Sequence, residues 1–164
     1  MAKILVIDDE RSIRNSMKDI LSFEGHEVSI AENGLEGLVA VKTNKPEVVF
    51  CDIKMPKMEG IEVLERIKEI AAETSVVMIS GHGTIDTAIE AIKKGAYDFI
   101  EKPLDLNRIL ITIKNATDKS QLLQEQQTLK TKVSKKYEMI GSSAALNHIR
   151  EMIGKVAVSD ARVL

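Results

Sequence analysis

Apolar residues gather in five short runs along the chain. Ile4–Ile7, Val48–Phe50 and Val76–Ile79 are rich in β-branched residues, Val28–Ala31 and Tyr97–Ile100 less so, and all five are predicted strands. Between them the apolar positions recur every three or four residues. Ile13, Met17, Ile20 and Leu21 form one stripe, Ile61, Leu64, Ile67 and Ala71 a second, and Ile85, Ala88, Ile89 and Ile92 a third. Each predicts a helix laying one apolar face on the core. Asn33 followed by Glu36 has the spacing of a capping box, and Gly25 and Gly95 stand where left-handed helix terminators belong.

The resulting order is five strand-then-helix units. Nearly continuous apolar strands flanked by one-faced helices require a parallel sheet covered on both sides, so the predicted fold class is α/β, a doubly wound five-stranded parallel sheet. Right-handed crossovers and a reversal of strand order bring the loops after the first and third strands to a crevice at the carboxyl edge. The last helix does not end on schedule. From Asp105, a predicted N-cap, the pattern Leu106, Ile109, Leu110, Ile113, Ala116 runs on without Pro or Gly to about residue 136.

Composition narrows the class of protein. A chain of 164 residues holds one full core and an appendage. No apolar run approaches the roughly 20 residues that span a bilayer, so no membrane association is expected. The single Cys51 forms no internal disulfide, and the start MAKILVIDDE carries no apolar signal stretch, which together predict a cytoplasmic chain. Charge is unevenly placed: residues 1–113 carry 14 basic and 20 acidic side chains, and the remainder 9 and 5. The lysines at 130, 132, 135 and 136 give the tail a basic face but define no recognition fold for DNA.

Candidate chemistry lies at the strand ends. Asp8 and Asp9 follow the first strand and Asp52 the third, so three carboxylates converge on one edge. Packed together they repel one another unless a cation joins them. Oxygen donors suit Mg²⁺ better than Zn²⁺, because neither His nor Cys recurs at zinc-ligand spacing. The plainer reading is that strand-end Asp residues cap neighbouring helices. Ser80 after the fourth strand and Lys102 after the fifth add a hydroxyl and an ammonium to the same edge. Around a carboxylate such a set suits a phosphoryl group, with Asp52 as nucleophile. Met55 and Met58 read as packing rather than a soft-metal site, and Cys51 as a buried small hydrophobe.

VIDDE at 6–10, CDIKMPKMEG at 51–60, MISGHG at 78–83 and GAYDFIEKP at 95–103 resemble the receiver domain of bacterial two-component response regulators, with a CheY-like fold in the flavodoxin-like order 2-1-3-4-5. The resemblance implies that Asp52 is the phosphoacceptor, supplied by a sensor histidine kinase. It implies Mg²⁺ held by Asp9, Asp52, Asp8 directly or through water, and the backbone carbonyl of Lys54. It implies that Ser80 and Lys102 contact the phosphoryl group, that the Lys102–Pro103 bond is cis, and that Ser80 and Phe99 form a switch read out by the fourth helix, fifth strand and fifth helix. Lys54 and His82 would tune the lifetime of the phosphoryl group. The competing enzyme is a haloacid-dehalogenase-like Mg²⁺-dependent phosphohydrolase, whose nucleophile would be Asp8. A module that only binds on the same fold is the third reading.

Residues 1–120 are therefore expected to be a receiver and 121–137 a helical linker. There Leu122, Leu129 and Val133 make a sparse seam for a homodimer, interrupted by Lys119 and Gln126. MIGSSAALNHI and KVAVSDARVL, within 138–164, resemble the entrance to the AAA+ ATPase module of sigma-54-dependent enhancer-binding activators, without its GxxxxGK loop. The implied whole protein binds ATP, sigma-54 RNA polymerase and enhancer DNA. This chain is expected to bind none of them and to have no ATPase activity.

Overall fold

The structure is a computed structural model that describes residues 1–81, 84–118 and Glu151. Its elements alternate as β1 (Lys3–Ile7), α1 (Arg11–Phe23), β2 (Glu27–Ala31), α2 (Gly34–Asn44), β3 (Val48–Asp52), α3 (Gly60–Ile70), β4 (Ser75–Ser80), α4 (Ile85–Lys93) and β5 (Asp98–Glu101). A fifth helix, α5, is described over residues 106–118. The strands form one parallel sheet in the order β2-β1-β3-β4-β5, which is the expected doubly wound topology. The seam at Leu122, Leu129 and Val133, and His82, lie outside the described residues.

Strand alternation divides the core into two layers. Leu5, Ile7, Val49, Cys51, Val76 and Met78 point to the side covered by α2 and α3, whereas Ile4, Val6, Phe50, Val77 and Ile79 point to α1 and α5. Every residue of β3 and β4 is buried, as continuous apolar runs between two helical layers require. Both strands outrun their apolar cores by including Asp52 and Ser80, because the backbone ladder continues past the last apolar side chain.

Local punctuation follows the expected chemistry. Asn33 Oδ1 accepts the Glu36 amide at 3.0 Å, and Glu36 returns the contact by accepting from the Asn33 side chain at 3.0 Å. Gly25 and Gly95 take φ of 85° and 97°, which costs a residue without a Cβ little. Asp105 Oδ1 accepts the Asn107 amide at 2.7 Å and caps α5.

One expectation is reversed in most of its residues. Of the α4 stripe Ile85, Ala88, Ile89 and Ile92, the three isoleucines face outward, and the helix lies on the sheet through Ala88, half-buried, and Ala91, fully buried. Periodicity gives a stripe but not its direction, and α4 sits over β5, a four-residue edge strand that offers it little apolar surface. Among the described residues no helix is long and apolar enough to cross a membrane.

Candidate functional site

The carboxyl ends of β1 and β3 deliver Asp8, Asp9 and Asp52 to one place, with one carboxylate oxygen of each within 4.8 Å of the others. The burial is graded: Asp8 is sealed at 0% exposure, Asp52 is 5% exposed and Asp9 is open to solvent. Glu10 donates its amide to Asp8 Oδ1 at 2.8 Å. Asp8 Oδ2 lies 3.1 Å from Lys102 Nζ, an ion-pair distance, but no donor is aligned on it as a hydrogen bond.

Lys102 crosses from the end of β5 to this cluster. Its Nζ lies 3.1 Å from Glu10 Oε1 and 3.4 Å from Asp52 Oδ2. Burial works against the ammonium, yet Asp8, Glu10 and Asp52 outweigh it and hold the lysine pKa above its usual value. Burial is also the main reason that the Asp52 carboxyl is pushed above the ordinary carboxylate range. Lys102 opposes that rise and Asp8 adds to it. Asp52 is therefore a carboxylate whose charge the fold alone does not fully compensate.

The residues behind Asp52 are packed to close tolerance. A Cβ on Gly60 would collide with the Asp52 backbone oxygen, and the Gly60 amide donates to the Ile53 carbonyl at 2.8 Å. Met55 and Met58 are buried in the α2–α3 core layer. Cys51 is fully buried, and burial first, then the charges of Asp52 and Asp8, push its thiol far above the usual range. Lys54 is exposed on the loop after β3. Ser80 is 2% exposed at the end of β4, and its carbonyl accepts the Lys102 amide at 2.8 Å. Phe99 is half-buried against the core layer of α2 and α3, beside Met78 in the ladder. The Lys102–Pro103 peptide is cis.

Two contributors are not among the residues that the sequence pointed to. Glu10 supplies Lys102 with a third carboxylate, and Arg14 places a nearly buried guanidinium directly behind the acidic turn. The signal for Glu10 is weak, an acid adjoining the Asp pair. For Arg14 there is none, because its position in α1 reads as an ordinary charged one.

Three oxygen donors, one of them a buried oxygen with no aligned donor, fit a hard divalent cation such as Mg²⁺. With a strand-end ammonium and hydroxyl alongside, the fold and site define a phosphoryl-receiving domain of the doubly wound class. The response regulator receiver domain model matches residues 4–114, and the chain belongs to that family. It is 36% identical over 163 residues to the nitrogen assimilation regulatory protein NtrX of Azorhizobium caulinodans, covering 98% of this chain and 36% of that protein. The crystal structure of NtrX from Brucella abortus superposes with a TM-score of 0.74 at 40% identity, covering 98% of this chain and 36% of that one. The solution structure of the beryllofluoride-activated NtrC4 receiver domain dimer gives 0.69 at 41% identity, over 73% of this chain and 99% of that one. The chain thus spans about a third of the length of the curated relatives it matches. Nothing in these similarities supports the phosphohydrolase alternative.

Proposed function

We propose that this domain accepts a phosphoryl group on Asp52 from a phosphohistidine of a sensor kinase and converts it into a change of surface. The observation that carries this reading is the Asp52 carboxylate, 3.4 Å from the Lys102 ammonium and within the acidic group of Asp8 and Asp9. Asp52 Oδ attacks phosphorus, the new P–O bond forms as the P–N bond breaks, and the imidazole nitrogen leaves with the bonding pair. Lys102 neutralises an equatorial oxygen as the phosphoryl group arrives, and the Ser80 hydroxyl donates to another. Mg²⁺ held by Asp8, Asp9, Asp52 and the Lys54 carbonyl would suppress repulsion between donor and acceptor. The domain itself remains the labelled product, so it is a switch rather than a turnover enzyme.

Ser80 drawn toward the phosphoryl group leaves space that Phe99 fills, and the shift biases α4, β5 and α5. The exposed isoleucine face of α4 belongs to that output surface. By the receiver resemblance, Lys54 and His82 tune the lifetime of the label. Residues 1–120 act as the receiver, 121–137 as a linker that pairs two copies, and 138–164 as the first part of an ATPase module. The NtrC4 receiver dimer supports pairing in this kind of domain. In the whole protein the signal controls a cytoplasmic activator that uses ATP, sigma-54 RNA polymerase and enhancer DNA.

The test is phosphorylation with a small phosphodonor and Mg²⁺, followed by intact-mass analysis, site mapping and measurement of oligomer mass in one sample. One phosphoryl group per chain on Asp52, lost in Asp52→Asn, is expected. A label that survives Asp52→Asn, or multiple turnovers on small phosphomonoesters, overturns the reading.

A further inference from the structure

Arg14 lies in the first turns of α1 with its side chain only 10% exposed. A nearly buried guanidinium needs partners for its five donors, and the expected partner is a carboxylate. Among the described residues its one ion-pair partner is Glu32, whose Oε2 is 3.9 Å from Nη2 and whose side chain is 63% exposed, a weak pair. The short contacts go elsewhere. Nη1 donates to the backbone carbonyl of Asp8 at 2.7 Å and to that of Asp9 at 2.8 Å. These carbonyls lie upstream of the helical ladder, which begins when the Arg14 amide donates to the Glu10 carbonyl. One nitrogen thus ties together the two peptide units that carry two of the three acidic side chains.

We infer that Arg14 is a positioning residue for the divalent cation. It fixes the β1–α1 turn from behind, so that the carboxylates of Asp8 and Asp9 are presented together toward Asp52. The inference rests on the reading that these three acids hold Mg²⁺. Charge and positioning make opposite demands. A fixed positive charge near a cation site opposes cation binding, so if charge were all that Arg14 contributed, its removal would tighten Mg²⁺. If it holds the turn, its removal loosens two ligands and weakens Mg²⁺, as loss of residues that orient metal ligands commonly does.

Titrating Mg²⁺ into the unphosphorylated chain by calorimetry, for wild type, Arg14→Met and Arg14→Lys, separates the two. Arg14→Met keeps much of the apolar stem and loses both hydrogen bonds, and its dissociation constant is expected to rise about tenfold or more. Arg14→Lys keeps the charge without the planar fork and is expected to fall between wild type and Arg14→Met. An Arg14→Met chain that binds Mg²⁺ as well as or better than wild type overturns the inference, even if its melting temperature drops. Should Arg14→Met not fold, Arg14→Lys decides by itself, and a dissociation constant equal to wild type is the overturning result. A wild-type chain that takes up no Mg²⁺ overturns the proposed cation site and this inference together, which distinguishes that failure from the others.

Discussion

Helix α3 lays Ile61, Leu64 and Ile67 on the sheet at 8% exposure or less, while α4 turns Ile85, Ile89 and Ile92 outward at 81%, 47% and 49%. Both helices carry an apolar stripe at helical spacing, and they use it in opposite ways. α3 rests over the centre of the sheet, where β3 and β4 are buried along their whole length, so its stripe is committed to the core. α4 lies toward the β5 edge and packs through alanines, so its isoleucines are not needed for folding. An apolar stripe that folding leaves exposed is the more informative one, because water penalises it unless a second surface uses it. The acids stand at the ends of the deeply buried central strands, and α4 keeps an apolar face exposed to a second surface.

Truncating one stripe residue on each helix separates the two roles most directly. Leu64→Ala removes a fully buried side chain and leaves a cavity, and is expected to cost about 2–5 kcal/mol in denaturant unfolding. Ile89→Ala on α4 is expected to stay within about 0.5 kcal/mol of wild type. Equal losses would show that α4 is as deeply committed as α3. Gly60→Ala probes the same side from its first residue. α3 starts so close to Asp52 that an added methyl must displace main chain, with an expected cost of about 1–3 kcal/mol and a disturbed acceptor loop.

The centre of the fold was legible because strand ends are punctuated. Asp8, Asp52 and Ser80 each follow directly on an apolar run and Lys102 comes one residue after another, so sequence placed them at one edge and the structure brings Asp8, Asp52 and Lys102 into contact range. What could not be read depended on direction or on distant backbone. The α4 stripe was visible, but its facing was not. Arg14 matters through carbonyls five and six residues upstream, a role that its residue type does not announce. Strand limits slipped by one or two positions because ladders of hydrogen bonds extend past the apolar side chains that reveal them.

A smaller effect with the opposite sign is expected at Asp52. Burial raises its folded-state pKa above the unfolded value, so the folded chain binds that proton more tightly. By linkage, stability falls as pH rises from the ordinary carboxylate value through the raised one, and at neutral pH without divalent cation the charge is held at a loss. Asp52→Asn should therefore melt at a higher temperature than wild type in chelator at pH 7. The gain should shrink as pH falls below the ordinary carboxylate range, and added Mg²⁺ should stabilise wild type more than the variant. A variant less stable than wild type at pH 7 in chelator would remove the argument that these acids repel one another.

The smallest perturbation compares the two sides by chemical access. Cys51 is fully buried on the α2–α3 side of β3, and burial together with the charges of Asp52 and Asp8 disfavours its thiolate. Native protein should therefore react with a thiol reagent at neutral pH only as fast as it opens, and labelling should become complete on denaturation. In a Cys51→Ala background, Ile89→Cys puts a thiol on the outward face of α4 with little expected change in stability. It should react at nearly the rate of a small free thiol. Beryllofluoride and Mg²⁺ widen the difference: if α4 belongs to the output surface, the rate at position 89 should change as that face is covered or reoriented, while Cys51 of the wild-type chain stays protected. A rate at position 89 indifferent to beryllofluoride, in protein shown by Mg²⁺-dependent stabilisation to have bound it, would leave the exposed isoleucines without a part in the signal.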